Sequence, residues 1–208
     1  MANAVLNERE IIRRLVEGDL VITPLLDPVR QIGATSVDIR LGFEFEGFNI
    51  TKHTHLDPTQ KEEDLKSIVE DYTTKVHLEP MQPLILHPGE FILAATLEYL
   101  RVPTDLAGRL EGRSSWGRLG LQVHSTAGFV DPGFEGMLTF ELQNMGKGPL
   151  CLYPGVRIAQ LCLFRTSRTA IPYTKKKEAK YFHKIGTTGS LFYEEKEFRA
   201  IRDFVTRQ

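Results

Sequence analysis

Residues 112–142 read GRSSWGRLGLQVHSTAGFVDPGFEGMLTFEL, a stretch that concentrates side chains able to bind phosphate and to move a proton. Arg113 and Arg118 bracket two hydroxyls, Ser114 and Ser115, in a segment punctuated by Gly112, Gly117 and Gly120. Guanidinium forks grip phosphate oxygens bidentately, hydroxyls add single hydrogen bonds, and glycines let backbone N–H groups come close. If Ser114 caps a short helix, free N–H groups and the helix dipole add to the field felt by an anion. The same composition also suits a capped turn with two solvated arginines. Downstream, Asp131-Pro132-Gly133 and Glu135-Gly136 are turn signals, and 137–144 alternates as a strand with Leu138, Phe140 and Leu142 on one face. Thr139, Glu141 and Gln143 take the other face. On a solvated face Glu141 is an ordinary surface carboxylate. Lining a pocket, it is a candidate proton carrier with a pKa raised by desolvation.

The elements that must position these groups follow from periodicity. Asn7 caps a helix over Glu8–Glu17, with Ile11, Ile12, Leu15 and Val16 as the apolar stripe and Gly18 as the stop. Val21-Ile22-Thr23 before Pro24 makes a brief strand, and 33–45 alternates as a longer one carrying Asp38, an exposed strand carboxylate on that pattern. Residues 47–63 are polar; His53, His55 and Asp57 offer three metal ligands without a fourth, so a solvated loop is the expectation there. Glu62–Tyr72 reads as a short helix through Leu65, Ile68 and Val69. From Lys75 onward short apolar runs are separated by turn signals such as HPGE and YPGV, which argues for an all-β sandwich or barrel. His124 falls in one of these strands and reads as a hydrogen-bonded core histidine, with a site role open through its nearness to Thr126 and Asp131. The tail carries Lys175, Lys176, Lys177 and Lys180, then GTTGS at 186–190, then a helix over 193–205. The glycine-rich piece is either a lid over a triphosphate or a flexible tail before a docking helix.

With 208 residues and 41% hydrophobic content the chain can bury one substantial core, so 1–208 is read as one domain with 175–208 as a C-terminal arm. A formal net charge of −1 argues against a nucleic-acid partner, which selects for basic excess. The two cysteines, Cys151 and Cys162, lie in the apolar runs PLCLYP and AQLCLF and read as buried free thiols on neighbouring strands. Signal-peptide and lipidation patterns and apolar runs of membrane-spanning length are missing, so a cytoplasmic protein without a membrane partner is expected.

GRSSWGRLGL, STAGFVDPGFEG with Glu141 ten positions after Asp131, and PGVRIAQL at 154–161 together resemble the dCTP deaminases and their bifunctional dCTP deaminase/dUTPase relatives. These belong to the wider trimeric dUTPase-like superfamily. GATSVDIRLG at 33–42, LHPGEFILAATLEYLRVP at 86–103 and EAKY at 178–181 extend the resemblance over most of the chain, although Trp116 stands where an aliphatic residue is expected. The resemblance implies a mainly β, dUTPase-like distorted β-barrel (β-clip) with an N-terminal helix and a C-terminal arm, assembled as a homotrimer. It implies hydrolytic deamination of dCTP to dUTP and ammonia, supplying dUMP for thymidylate synthesis. With two isolated cysteines the chain has no P-C-x-x-C pair to complete a His/Cys–x–Glu zinc signature, so that chemistry is expected to run without zinc.

In that reading Glu141 activates water for attack at C4 and returns the proton to ammonia. Thr126 and the backbone at Ala127 position water and base. Arg113, Ser114, Ser115 and Arg118 hold the triphosphate with Mg²⁺, while Gln160, Tyr173, Lys180 and Lys184 fall at further nucleotide-contacting positions, Lys184 where relatives often carry Gln. Asp131 orients the sugar and the attacking water in the competing reaction, cleavage of dUTP to dUMP and pyrophosphate. Glu141 favours deamination; Gly128-Phe129 resembles the bifunctional relatives, so dCTP to dUMP is the alternative, with a dUTPase alone or a nucleotide-sensing module behind it. dTTP is the candidate inhibitor.

Overall fold

Helix α1 (Glu8–Glu17) starts where the Asn7 side chain accepts the Glu10 N–H at 3.0 Å and stops where Gly18 turns left-handed at φ 75°. The computed structural model describes residues 4–49, 55–57, 59–169 and 171–205. After α1 come β1 (Val21–Thr23), α2 (Pro28–Gln31), β2 (Ser36–Phe48), α3 (Glu62–Tyr72), β3 (Thr73–His77), β4 (Leu84–Leu86), β5 (Phe91–Arg101) and β6 (Leu106–Gly112). Then follow α4 (Ser114–Gly117), β7 (Leu121–Gln122), β8 (Phe129–Val130), β9 (Glu135–Asn144), β10 (Leu150–Leu152), β11 (Arg157–Arg165) and α5 (Lys196–Val205).

The main sheet is antiparallel and runs β7-β9-β5-β2-β11-β6-β8, with β1 added on β5 and β3 on β2; β10 and β4 form a separate ribbon. Its two ends are consecutive in sequence. β7 lies on the β9 edge and β8 on the β6 edge, so residues 123–128 cross the seam between the two edges of a curled, dUTPase-like half-barrel. Inward positions at alternate residues supply the core: Val37, Ile39 and Leu41 of β2, Phe140 and Leu142 of β9, and Leu161 and Leu163 of β11 are fully buried. None of the described helices is long and apolar enough to cross a membrane.

Several local expectations change in the folded chain. In α1 the buried positions are Ile11 and Arg14, while Ile12 and Val16 are exposed at 46% and 82%. A 3.6-residue period puts 11, 14 and 15 on one face, and Arg14 is tolerated there because Asp105 at 2.5 Å and Asp19 neutralise it. Cys151 is exposed on the β10 ribbon and Cys162 half-buried on β11, so the thiols are neither neighbours nor core residues. The last helix starts at Lys196 rather than at 193, after a 3₁₀ turn at Phe192–Glu194, because Glu195 is extended and pairs with Lys180.

Glu98 on β5 is fully buried, with Oε2 accepting the Arg40 N–H at 2.9 Å and Oε1 accepting from Gln31 Nε2 at 3.1 Å. Burial pushes its pKa up to about 7 against these donors and against the Arg40 charge. A carboxyl whose pKa rises on folding takes up a proton between the unfolded and folded values. Stability should therefore fall as pH rises from about 4.5 to about 7, by at most on the order of 3 kcal/mol, and level off above. Urea midpoints across that range should show this slope in the wild type and lose it in Glu98→Gln.

Candidate active site

β9 puts Thr139, Glu141 and Gln143 on the face opposite Phe140 and Leu142, as the alternation requires, and that face is half-buried: Thr139 and Glu141 line a cavity of about 450 Å³. Glu141 lies in register with Leu93 of β5, which in turn faces Glu46 of β2. The closing segment 123–128 meets it from the other side. Glu141 Oε2 accepts the Ser125 hydroxyl at 2.7 Å, the Ser125 N–H at 3.1 Å and the Thr126 N–H at 3.3 Å. Burial alone would raise the Glu141 pKa. The Ser125 hydroxyl, the neighbouring His124 and the two N–H groups outweigh burial, and the net direction is down. The raised pKa expected for a pocket carboxylate is therefore corrected: donors to the charged form beat desolvation here.

Asp131 enters the same cavity from the turn after β8, with Ala127 beside it. Its charge helps to raise the pKa of Tyr173, after burial, which is the larger cause. Tyr173 packs its ring 5.8 Å from Phe134. The tail then runs along β9: His183 N–H donates to the Glu135 carbonyl at 2.6 Å, the Lys184 carbonyl accepts from Met137 N–H at 2.9 Å, and Thr188 N–H reaches Thr139 Oγ1 at 3.3 Å. Gly136 makes this passage possible, since at φ 147° a β-carbon would stand 3.2 Å from the Lys184 nitrogen. Thr188, Gly189 and Ser190 thus line the Glu141 cavity. Where this segment presses on β2, a β-carbon at Gly189 would meet Glu46 Oε1 at 2.5 Å. Lys184 lines the cavity too, whereas Lys180 is held in the tail by the Glu195 carboxylate at 2.6 Å and the Leu191 carbonyl at 3.1 Å.

The phosphate-type segment lies elsewhere. Arg113, not Ser114, occupies the cap position of α4, at φ −76° and ψ 135°, and its side chain makes no capping bond. The expected Ser114 cap is replaced because the chain turns helical one residue earlier. Arg113 instead donates to the Arg157 carbonyl at 3.2 Å and lies 3.4 Å from Asp38, which also takes Arg157 at 2.9 Å. Asp38 is therefore no exposed strand carboxylate; it is held between two guanidinium groups. Gln160 on β11 stands opposite Asp38 and Glu111 in the sheet register, on this side of the molecule. Ser114, Ser115 and Arg118 are exposed. Trp116 anchors the turn by donating its indole N–H to the Arg157 carbonyl at 3.1 Å, a bond no aliphatic residue could make. None of Arg113, Ser114, Ser115, Arg118 and Gln160 lines the cavity that holds Glu141 and Asp131.

Thr126 lines a smaller recess beside that cavity with His124, which sits after β7 rather than within a strand. His124 Nδ1 is buried without a hydrogen-bond partner, so the expectation of a bonded core histidine is also corrected. Asp57 accepts the Thr59 N–H at 2.9 Å and the Thr59 hydroxyl at 2.7 Å; His53 lies outside the described residues. Sequence reasoning passed over Ser125 and Arg157. Their partners, Glu141 and Asp38, are distant in sequence, and no periodicity links them.

Residues 5–166 match the family model described as dCTP deaminase-like. A "dCTP deaminase, dUMP-forming" of Dictyoglomus thermophilum is 45% identical over 188 residues, covering 89% of this chain and 93% of its own. The protein of the same name from Mycolicibacterium vanbaalenii is 47% identical over 192 residues, covering 91% and 96%. Among solved structures, the 2'-deoxycytidine 5'-triphosphate deaminase of Agrobacterium tumefaciens aligns with a TM-score of 0.61 at 21% identity, over 78% of this chain and 48% of that one. At that identity the likeness speaks to fold.

Proposed function

Since this chain belongs to the dCTP deaminase-like family, we propose that it converts dCTP and two waters to dUMP, ammonia and pyrophosphate. The relatives' shared name favours this dUMP-forming alternative over release of dUTP. The observation that carries it is one cavity holding two carboxylates in different settings, Glu141 under three donors and Asp131 beside Tyr173. Glu141 is ionised at neutral pH and takes a proton from water as the oxygen attacks C4 of the cytosine. The proton is returned to N4, the C4–N4 bond then breaks so that ammonia leaves, and the remaining proton of the attacking water ends on N3 of the uracil. Asp131 orients the second water, which attacks the α-phosphorus and releases pyrophosphate. Thr126 and the Ala127 backbone border the base, and Tyr173 and Lys184 the tail side.

Ser114, Ser115 and Arg118 hold the triphosphate, with Arg113 sharing its charge with Asp38 and Gln160 flanking. A triphosphate held by the exposed Ser114, Ser115 and Arg118 would carry Mg²⁺ on its own oxygens. When bound, it would neutralise charge on the phosphate oxygens. Because the phosphate segment and the Glu141 cavity stand apart in one chain, a complete site joins halves from two subunits of a homotrimer.

Incubation with dCTP and Mg²⁺, with products separated, tests the reading. dUMP with matching ammonia is expected, and dTTP is the inhibitor to add. Accumulated dUTP would return the enzyme to simple deamination, and binding without turnover would favour a nucleotide-sensing module. Asp131→Asn should slow the dUMP-forming step more than ammonia release, so dUTP should accumulate in that variant.

A further inference from the structure

The segment that crosses the seam does more than fill it. Three donors, two of them N–H groups of adjacent residues and one the Ser125 hydroxyl, converge within 3.3 Å on a single oxygen of Glu141, while Oε1 takes none of them. An oxygen ringed by three donors has no room to carry a proton of its own, since an added O–H would face N–H and O–H groups. A proton taken from water must therefore settle on Oε1, the oxygen left for a ligand. The same asymmetry keeps that proton where departing ammonia can collect it.

We propose that Ser125 is a positioning residue for Glu141: it crosses the seam to hold Oε2, fixing the carboxylate ionised and reserving Oε1 for the proton exchanged with substrate. The inference rests on the reading above that Glu141 carries that proton. Ser125 itself is exposed and is not a member of the buried core.

Other ionisable groups approach Glu141 from each surrounding element. His124, on the same segment, lowers the Glu141 pKa by its charge. Asp131 follows β8, and Tyr173, Tyr181 and Lys184 come from the tail. On β6, Arg109 and Glu111 satisfy each other at 2.5 Å. All of these stay in place when Ser125 alone is changed, so a displaced pH profile reports the lost hydroxyl.

Ammonia release from dCTP should be measured against pH in wild type, Ser125→Ala, Ser125→Thr and Glu141→Gln, with dCTP binding followed by calorimetry. Removing a donor to the charged form raises the pKa of the base, so the acidic limb of kcat should move to higher pH in Ser125→Ala. The ratio of rates at about pH 7.5 and about pH 5 should rise roughly threefold or more, with KM nearly unchanged. Ser125→Thr, which keeps the hydroxyl at an exposed site, should restore the wild-type profile. A wild-type limb in folded Ser125→Ala beside a dead Glu141→Gln would overturn the proposal and leave the function standing, as would a loss confined to KM. Ammonia release by Glu141→Gln would instead overturn the functional reading, and this proposal with it.

Discussion

Glu141→Gln should abolish ammonia release from dCTP while leaving folding and nucleotide binding close to wild type. The two side chains are nearly isosteric, and an amide oxygen can still accept from Ser125 and Thr126, so the seam should close as before. What the amide cannot do is take and return a proton. General acid–base catalysis contributes typically ~10²–10⁴-fold, and the rate should drop by at least that much. The direction of the Glu141 pKa sharpens the test. Because the folded carboxyl titrates below its ordinary range, wild-type activity should be lost only as pH falls through that lowered value, and raising the pH should not rescue the variant. Product analysis over the pH range, with calorimetry for binding, checks both statements. A folded variant releasing ammonia at the wild-type rate would return Glu141 to the status of a strand carboxylate.

Two inactive variants should make an active mixture. Arg118→Ala removes the exposed guanidinium beside the α4 turn, and Glu141→Gln removes the proposed proton carrier in a cavity that no α4 residue lines. If each site pairs the α4 turn of one subunit with the β9 cavity of its neighbour, random exchange between equal amounts leaves about one site in four with both halves intact. Mixing followed by mild dissociation and reassembly should then restore about a quarter of wild-type turnover from two preparations that have almost none alone. Light scattering supplies the control. A fully active monomer, or no recovery after subunit exchange has been demonstrated, would place the complete site within one chain.

Short-range physics made much of this molecule readable in advance. The Asn7 cap, the Gly18 stop and the Glu62–Tyr72 helix depend on residues within a turn of one another. The alternation of 137–144 placed Glu141 opposite Phe140 because side-chain direction in a strand is set by parity alone. What sequence hid was decided by register between distant strands. Nothing near Asp38 says that β11 will bring Arg157 to it, and nothing near Glu141 says that 123–128 will cross the seam with three donors. For the same reason burial was visible in outline but the direction of the Glu141 pKa was not: desolvation follows from a pocket, whereas the opposing hydrogen bonds follow from closure. Arg14 shows the reverse error. An apolar stripe drawn from hydropathy skipped the one charged residue on the buried face, because its partners Asp19 and Asp105 come from outside the helix.

The indole N–H that Trp116 gives to the Arg157 carbonyl ties an optical property to the α4 turn. The chain contains a single tryptophan, so the indole emission of the whole protein originates two residues from Arg118 and one from Ser115. Emission wavelength follows the polarity and hydrogen bonding around the ring, and an anion drawn to the turn would alter both. If the proposed division of the site holds, a triphosphate should shift the spectrum while deoxycytidine leaves it unchanged, so that the α4 turn would report by light and the Glu141 cavity by ammonia.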